Sequence, residues 1–297
     1  MNYLTYSYLL TPLHTGASSQ AGNLIGIARE AQTEFPYIPS SSIRGKIRSS
    51  LESNPSIKAE ANSFFGERIK NGSQPTEGEV WFADATLLLF PVASFSHQYV
   101  WITCPLWLSR WNRWLHNQDL QKLIAECRTH LDQDGGKKVV TSVKGKQVFL
   151  QGAILKEEEI SPLKKEDSCW DIFKEIPDSS GILNLKEKLV ILADQDCAAL
   201  VEIGLHREVR ITLKENEKIV DGGSFRSEEA IPSETVLFFP WGMKPNKDET
   251  PTQEARKLLL EILNDRLQLG GLEGLGRGWT ENKTVKVERI STKVEEN

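Results

Sequence analysis

Two stretches of this sequence carry residue types suited to gripping phosphate. The run GGLEGLGRGW at 270–279 sets Gly270, Gly271, Gly274, Gly276 and Gly278 within nine positions and adds Arg277. Residues without a Cβ leave backbone amides open to close approach by an anionic backbone. The run is not the dinucleotide fingerprint, because no helix pattern follows it, and it lacks the GK[ST] ending of a P-loop. Tight packing beneath a β-bulge is the bland alternative. The second stretch, SSSIRGKIR at 40–48, reads as a helix start. Pro39 stops the extended chain, Ser40, Ser41 and Ser42 offer caps, and Ile43, Ile47 and Leu51 form an apolar i, i+4, i+8 row. Amides and hydroxyls at a helix N-terminus bind phosphate, and Arg44, Lys46 and Arg48 add positive charge with no acid among those nine residues. Alone, such a cluster reads as an ordinary solvated face. Two of them, far apart in one chain, favour phosphate binding.

The catalytic inventory is thin. Five histidines (His14, His97, His116, His130, His206) show no HxH or HExxH spacing, so no metal site and no resident cofactor is expected. Asp194 and Asp196 follow a strand pattern and read as helix-capping residues. His14, at the end of the first strand beside a flexible loop, is the histidine placed to meet a substrate, with a structural role as its alternative. No Ser/His/Asp or Cys/His set can be assembled.

The chain has 297 residues, 39% hydrophobic and 26% charged, as in an ordinary globular protein rather than a disordered one. Lysine and arginine number 36 against 41 acids, a net charge of −5, so any nucleic-acid contact must come from a local concentration of basic residues. No apolar run approaches the roughly 18 residues of a membrane span. The N-terminus lacks the basic region of a signal peptide, and Cys104, Cys127, Cys169 and Cys197 include no CxxC pair. A reducing cytoplasm is the expected compartment.

The positioning elements follow from periodicity. Residues 3–10 read as a core strand, 15–26 as a long functional loop, and 57–65 as a second short helix. Strands are expected at 80–90 and 99–104, and Trp107, Trp111 and Trp114 recur at helical spacing over 106–115. Core packing is the favoured reading of that stripe, a base-stacking surface the alternative. Residues 137–146, with four lysines, read as a basic hairpin or loop, and 156–168 as an exposed charged insertion. Strands at 189–193 and 235–240, a hairpin turning at Glu215-Asn216, and an amphipathic helix at 255–263 complete the set. Without regular βα alternation, the class is α+β, an antiparallel sheet covered by helices.

These residues, taken in order, resemble the RAMP superfamily of CRISPR proteins. The resemblance rests on LHTG, REAQTEFPYIPSSSIRGKIR, FFG, WFADATLLLFPVASF, YVWITCPLWL and GGLEGLGRGW, and is closest to its Cas7-group type III-B backbone subunits. The segment REVRITLKENEKIVDGGSFRSEEAIPSETV is similar to the thumb hairpin of that family. The resemblance implies a single Cas7-like domain over 1–297, a modified ferredoxin-like (RRM) palm with a protruding thumb at 207–229. It also implies copies stacked as a filament along a guide RNA (crRNA), with complementary target RNA and other type III effector subunits as partners. Ser41, Ser42, Arg44, Lys46, Arg48, Gly271, Gly274, Gly276, Arg277 and Gly278 would hold guide phosphates, and the thumb, with Arg207 and Arg210, would wedge between bases.

Members of the family usually also cut target RNA, through a loop aspartate that supports Mg²⁺-dependent attack of a 2′-hydroxyl. Counting back from Arg29-Glu30, its place falls on Leu24, or on Asn23 if the register slips by one, and no Asp or Glu occurs from Met1 to Arg29. Leucine neither accepts a proton nor ligates a metal. The expectation is therefore a guide-binding scaffold that does not cleave. The alternative is an active endoribonuclease drawing on His14, Glu30 or Asp84.

Overall fold

A computed structural model describes residues 2–16, 24–68, 74, 76–131, 137–163, 170–179, 181–213, 220–244 and 251–287. The first strand, β1 (Asn2–Leu9), carries apolar or aromatic residues on both faces, and it lies in the interior of the main sheet. Alternation sends Leu4, Tyr6 and Tyr8 into one hydrophobic cluster and Tyr3 and Leu9 into another. The polar residues between them, Thr5 and Ser7, are fully buried yet satisfied. Thr5 Oγ1 lies 2.7 Å from Thr284 Oγ1 and accepts from Trp241 Nε1 at 2.9 Å, and Ser7 donates to Asn282 at 2.6 Å.

A two-residue strand, β2 (Leu24–Ile25), precedes the first helix, α1 (Ser40–Glu52), whose Ile43, Ile47 and Leu51 are all buried as the row requires. Helix α2 (Ala61–Phe65) adds Phe64 and Phe65. Then come β3 (Val80–Phe82), β4 (Thr86–Ser94), β5 (Gln98–Thr103), α3 (Pro105–Leu115) and α4 (Gln118–Leu131). The middle of the chain gives β6 (Val139–Thr141), β7 (Gln147–Leu150), β8 (Ala153–Lys156), β9 (Ile160–Pro162), α5 (Leu185–Lys188), β10 (Leu189–Leu192) and α6 (Asp194–Gly204). The remainder is β11 (His206–Leu213), β12 (Val220–Ala230), β13 (Val236–Met243), α7 (Gln253–Ile262), β14 (Arg266–Gln268) and β15 (Trp279–Val287).

Among the described residues the main sheet has ten strands in the order β14-β15-β1-β13-β4-β5-β10-β6-β9, with β3 also on β13. It is mostly antiparallel; β5–β10 and β6–β9 are parallel. Helices α1, α2, α6 and α7 send side chains into one cluster, while α4 and residues 170–176 fill the other. The α+β expectation holds. Strands β11 and β12 form an antiparallel hairpin in a separate three-stranded sheet with β2, and the expected turn at Glu215-Asn216 lies outside the described residues.

Three readings are corrected. Residues 137–146 are not a basic hairpin: Val139 and Val140 are buried in β6, between β10 and β9. The 156–168 segment is exposed at Lys156, Glu157 and Glu158 but not throughout, because β9 adds to the sheet edge and Ile160 and Leu163 are buried. Its residues 164–169 lie outside the described set. The third concerns α4, which has no counterpart among the expected elements although Leu120, Leu123, Ile124 and Cys127 are spaced as a buried helical face.

The tryptophan stripe divides. Trp107 and Trp111 are fully buried, Trp107 edge-on to Phe35 at 5.0 Å, and Trp111 Nε1 donates to Tyr6 Oη at 3.0 Å. Trp114 is half-buried and packs on Trp81, ring centroids 6.2 Å apart. Trp111→Ala is expected to destabilise the fold by about 3–5 kcal/mol, through lost transfer energy and the cavity left behind. Trp114→Ala is expected to cost about 1 kcal/mol or less. Urea unfolding of the two variants beside the natural protein measures both.

Candidate nucleic-acid interface

Helix α1 and the glycine run are distant in sequence and meet in space. Lys46 Nζ lies 3.3 Å from Glu273 Oε1, and both side chains are partly exposed. The glycines of the loop do two different jobs. A Cβ on Gly278, at φ +81°, would sit 1.9 Å from the Leu269 carbonyl oxygen, and one on Gly270, also at φ +81°, would sit 2.3 Å from that of His14. These two are required by packing. Gly274 and Gly276 face open space, with nothing within 4 Å of where a Cβ would sit. Gly271 donates its amide to the His14 carbonyl at 2.8 Å. The packing reading of the run therefore holds for Gly270 and Gly278, while Gly274 and Gly276 leave their backbone open.

Each basic residue singled out by the sequence has a protein partner. Arg44 donates to the Phe65 carbonyl and its guanidinium lies 5.5 Å from the Phe65 ring centroid. Arg48 donates to Glu52 and to Asn62, each at 2.8 Å. So acids absent from residues 40–48 are supplied by the next turn and by the far end of the chain. Of these pairs Lys46–Glu273 is the most readily exchanged for a phosphate, since exposed pairs contribute only ~0–1 kcal/mol. Ser41 is exposed and Ser42 half-buried on the first turn. Asp84 Oδ1 accepts from the Ser40 amide at 2.6 Å, so that carboxylate already caps the helix.

The root of the hairpin is a charge network. The side chain of Glu229 is only 2% exposed and accepts from Arg29 at 2.9 Å and from Arg207 at 3.1 Å. Glu202, half-exposed, accepts from both arginines as well. Arg210 donates to the buried Glu228 at 2.8 Å, and Arg277 donates to Glu208. Arg207 thus ties the hairpin to α6, Arg277 ties it to the glycine loop, and Arg210 links its two strands. Burial acts to lower the Arg29 pKa, but its bonds to Glu202 and Glu229 outweigh that and hold it above the ordinary arginine value. At Glu202, burial acts to raise the pKa and the same two arginines more than offset it, leaving the carboxyl below its ordinary value of 4.5.

The three acid/base candidates are each engaged. His14 is 5% exposed, and its Nδ1 lies 2.8 Å from the Glu229 carbonyl oxygen, which can only accept, so Nδ1 carries the proton. Glu30 is held by Arg110 in a bidentate pair at 2.8 and 2.9 Å. Asp84 is the helix cap. Leu24 pairs with Ser227 of β12, at the foot of the hairpin, while Asn23 lies outside the described residues. Leu24 offers no ligand atom in its side chain, and among the described residues no group of three or more His, Cys, Asp or Glu could hold a metal ion.

The sequence profile of the RAMP superfamily matches residues 8–281. The chain belongs to that superfamily. It is 27% identical, over 284 residues and 93% of each chain, to the CRISPR system Cmr endoribonuclease Cmr4 of Pyrococcus furiosus. Among solved structures it resembles a chain of the type III-B Cmr-beta complex bound to cognate target RNA. That match has a TM-score of 0.74 and 22% identity, covering 96% of this chain and 97% of the other. It also resembles oligomeric Cmr4 from Pyrococcus furiosus, with a TM-score of 0.66 and 24% identity over 97% of this chain and 99% of the other. These likenesses establish the shared RAMP fold.

The depressed Glu202 carboxyl has a pH consequence. Its contribution to stability is full above the unfolded-state pKa, near 4.5, and is lost as pH falls through the lower folded value. Melting temperatures taken from pH 7 to pH 3 are therefore expected to fall less steeply below pH 4.5 in Glu202→Gln than in the natural protein.

Proposed function

We propose that this RAMP protein is a guide-RNA-binding backbone subunit of a type III CRISPR effector, stacking along crRNA and presenting it to target RNA without cutting the target. The observation that carries the reading is the meeting of α1 with the open glycines Gly274 and Gly276 on one face, joined by the exchangeable Lys46–Glu273 pair. Amides, hydroxyls and cations on such a face grip a phosphodiester backbone without reading its bases, and base pairing supplies the sequence. The hairpin supports the thumb role. Val209, Ile211 and Phe225 are exposed on it, and Ile211 lies opposite Phe225 in the register, so the apolar side chains are placed to wedge between bases. Assembly with further copies and other effector subunits is part of the proposal, drawn from the relatives described as oligomeric Cmr4 and as the Cmr-beta complex.

The non-cleaving half of the proposal rests on Leu24, and on His14, Glu30 and Asp84 being taken up by structural bonds. Leu24 itself supplies no base to a 2′-hydroxyl brought beside it.

Filter binding of guide RNA to the full-length protein over a salt series tests the gripping face. Lys46→Ala is expected to weaken binding about three- to tenfold and to flatten the log–log salt slope by about one unit, as for one lost phosphate contact. Glu273→Ala, which frees Lys46, is expected to strengthen binding a few-fold. Unchanged binding in both variants would count against this face as the guide site.

A further inference from the structure

A second concave site lies on the other side of the α1 cap. It is an open cleft of about 580 Å³ between the chain around Arg29–Tyr37, the strand end at Asp84 and the last turn of α3. That volume falls within the roughly 300–1,000 Å³ of small-molecule sites. Its carboxylates are spent: Glu30 is neutralised by the bidentate Arg110, and Asp84 holds the Ser40 amide. The Arg29 guanidinium bonds to Glu202, Glu229 and the Glu34 carbonyl. What the cleft still offers is Arg113 and Trp114. Arg113 is exposed and, among the described residues, has neither hydrogen bond nor ion pair, unlike every basic residue of the gripping face. Trp114 is half-buried in the cleft wall and supported by Trp81, itself 40% exposed, with ring planes 34° apart. Tyr37 adds a second aromatic ring.

A flat π face beside an uncommitted guanidinium suits one unstacked nucleotide, with base on ring and phosphate on cation. We infer that this cleft takes a single unpaired nucleotide of RNA, its base stacked on Trp114 and its phosphate held by Arg113. The inference rests on the RNA-binding reading above. RNA is favoured over an acidic peptide because Asp84, in the cleft wall, is the cap of α1, so a strand held by the first turn of that helix passes the cleft mouth.

The test uses the full-length protein and single-stranded RNA carrying 4-thiouridine. Crosslinks located by mass spectrometry are expected on the peptides holding Tyr37 or Trp114. Trp114→Ala is expected to weaken binding about five- to fiftyfold, as for one lost base stack. Trp114→Phe is expected to restore most of the affinity, and Arg113→Ala to lower the salt slope by about one unit. If Lys46→Ala weakens binding while Trp114→Ala and Arg113→Ala do not, the cleft is no nucleotide site although the gripping face stands. If the natural protein binds no RNA, the failure belongs to the RNA-binding reading itself. A Trp114→Ala change in self-association by sedimentation, with RNA affinity intact, would make the cleft a protein contact and overturn the inference.

Discussion

A carboxylate as withdrawn from water as that of Glu229 has to be compensated by charge, and the pairing joins three parts of the chain. Arg29 belongs to the segment after the long loop, Arg207 to the rising strand of the hairpin, and Glu229 to its returning strand. Removing one partner of such a buried pair commonly costs about 3–5 kcal/mol, because the charge left behind has neither water nor a counter-ion. The backbone carbonyl of the same Glu229 takes the proton of His14, and the carbonyl of His14 takes the amide of Gly271. One residue thus joins the hairpin, the segment after the first strand and the glycine loop. The surfaces that would hold RNA are positioned through it.

That arrangement changes what the arginines are for. In sequence Arg277 reads as a phosphate-holding cation, and Arg207 and Arg210 as RNA-binding residues of the thumb. In the folded chain they face Glu229, Glu228 and Glu208 at the hairpin root, two of which are almost fully buried. Their charge is engaged in ion pairs within the protein. Lys46, partly exposed, and Arg113, which has no ion pair among the described residues, are cations able to take a new partner.

Much of this was legible in the sequence. The i, i+4, i+8 row of Ile43, Ile47 and Leu51 located α1, and the buried pattern of Leu189–Leu192 located a central strand, because burial of apolar side chains dictates both periods. The meeting of α1 with the glycine run was not legible, since nothing local encodes a contact between Lys46 and Glu273. The hairpin-root network was not legible, because ion pairing depends on which acids tertiary folding brings near. Helix α4 was missed although its apolar spacing was present. Val139 and Val140 were misread because the flanking lysines dominate the composition, while the two valines alone decide burial. Trp114 was grouped with Trp107 and Trp111 by spacing, yet it lies on the last turn of α3, where the helix leaves the core.

The central claim is a RAMP subunit that holds RNA at a site whose cleaving position carries leucine. The most direct measurement incubates labelled complementary RNA and Mg²⁺ with the complex assembled from the natural protein, and reads binding and cleavage on parallel gels. The account predicts tight binding with the target intact. Regularly spaced cuts by the natural protein would contradict it.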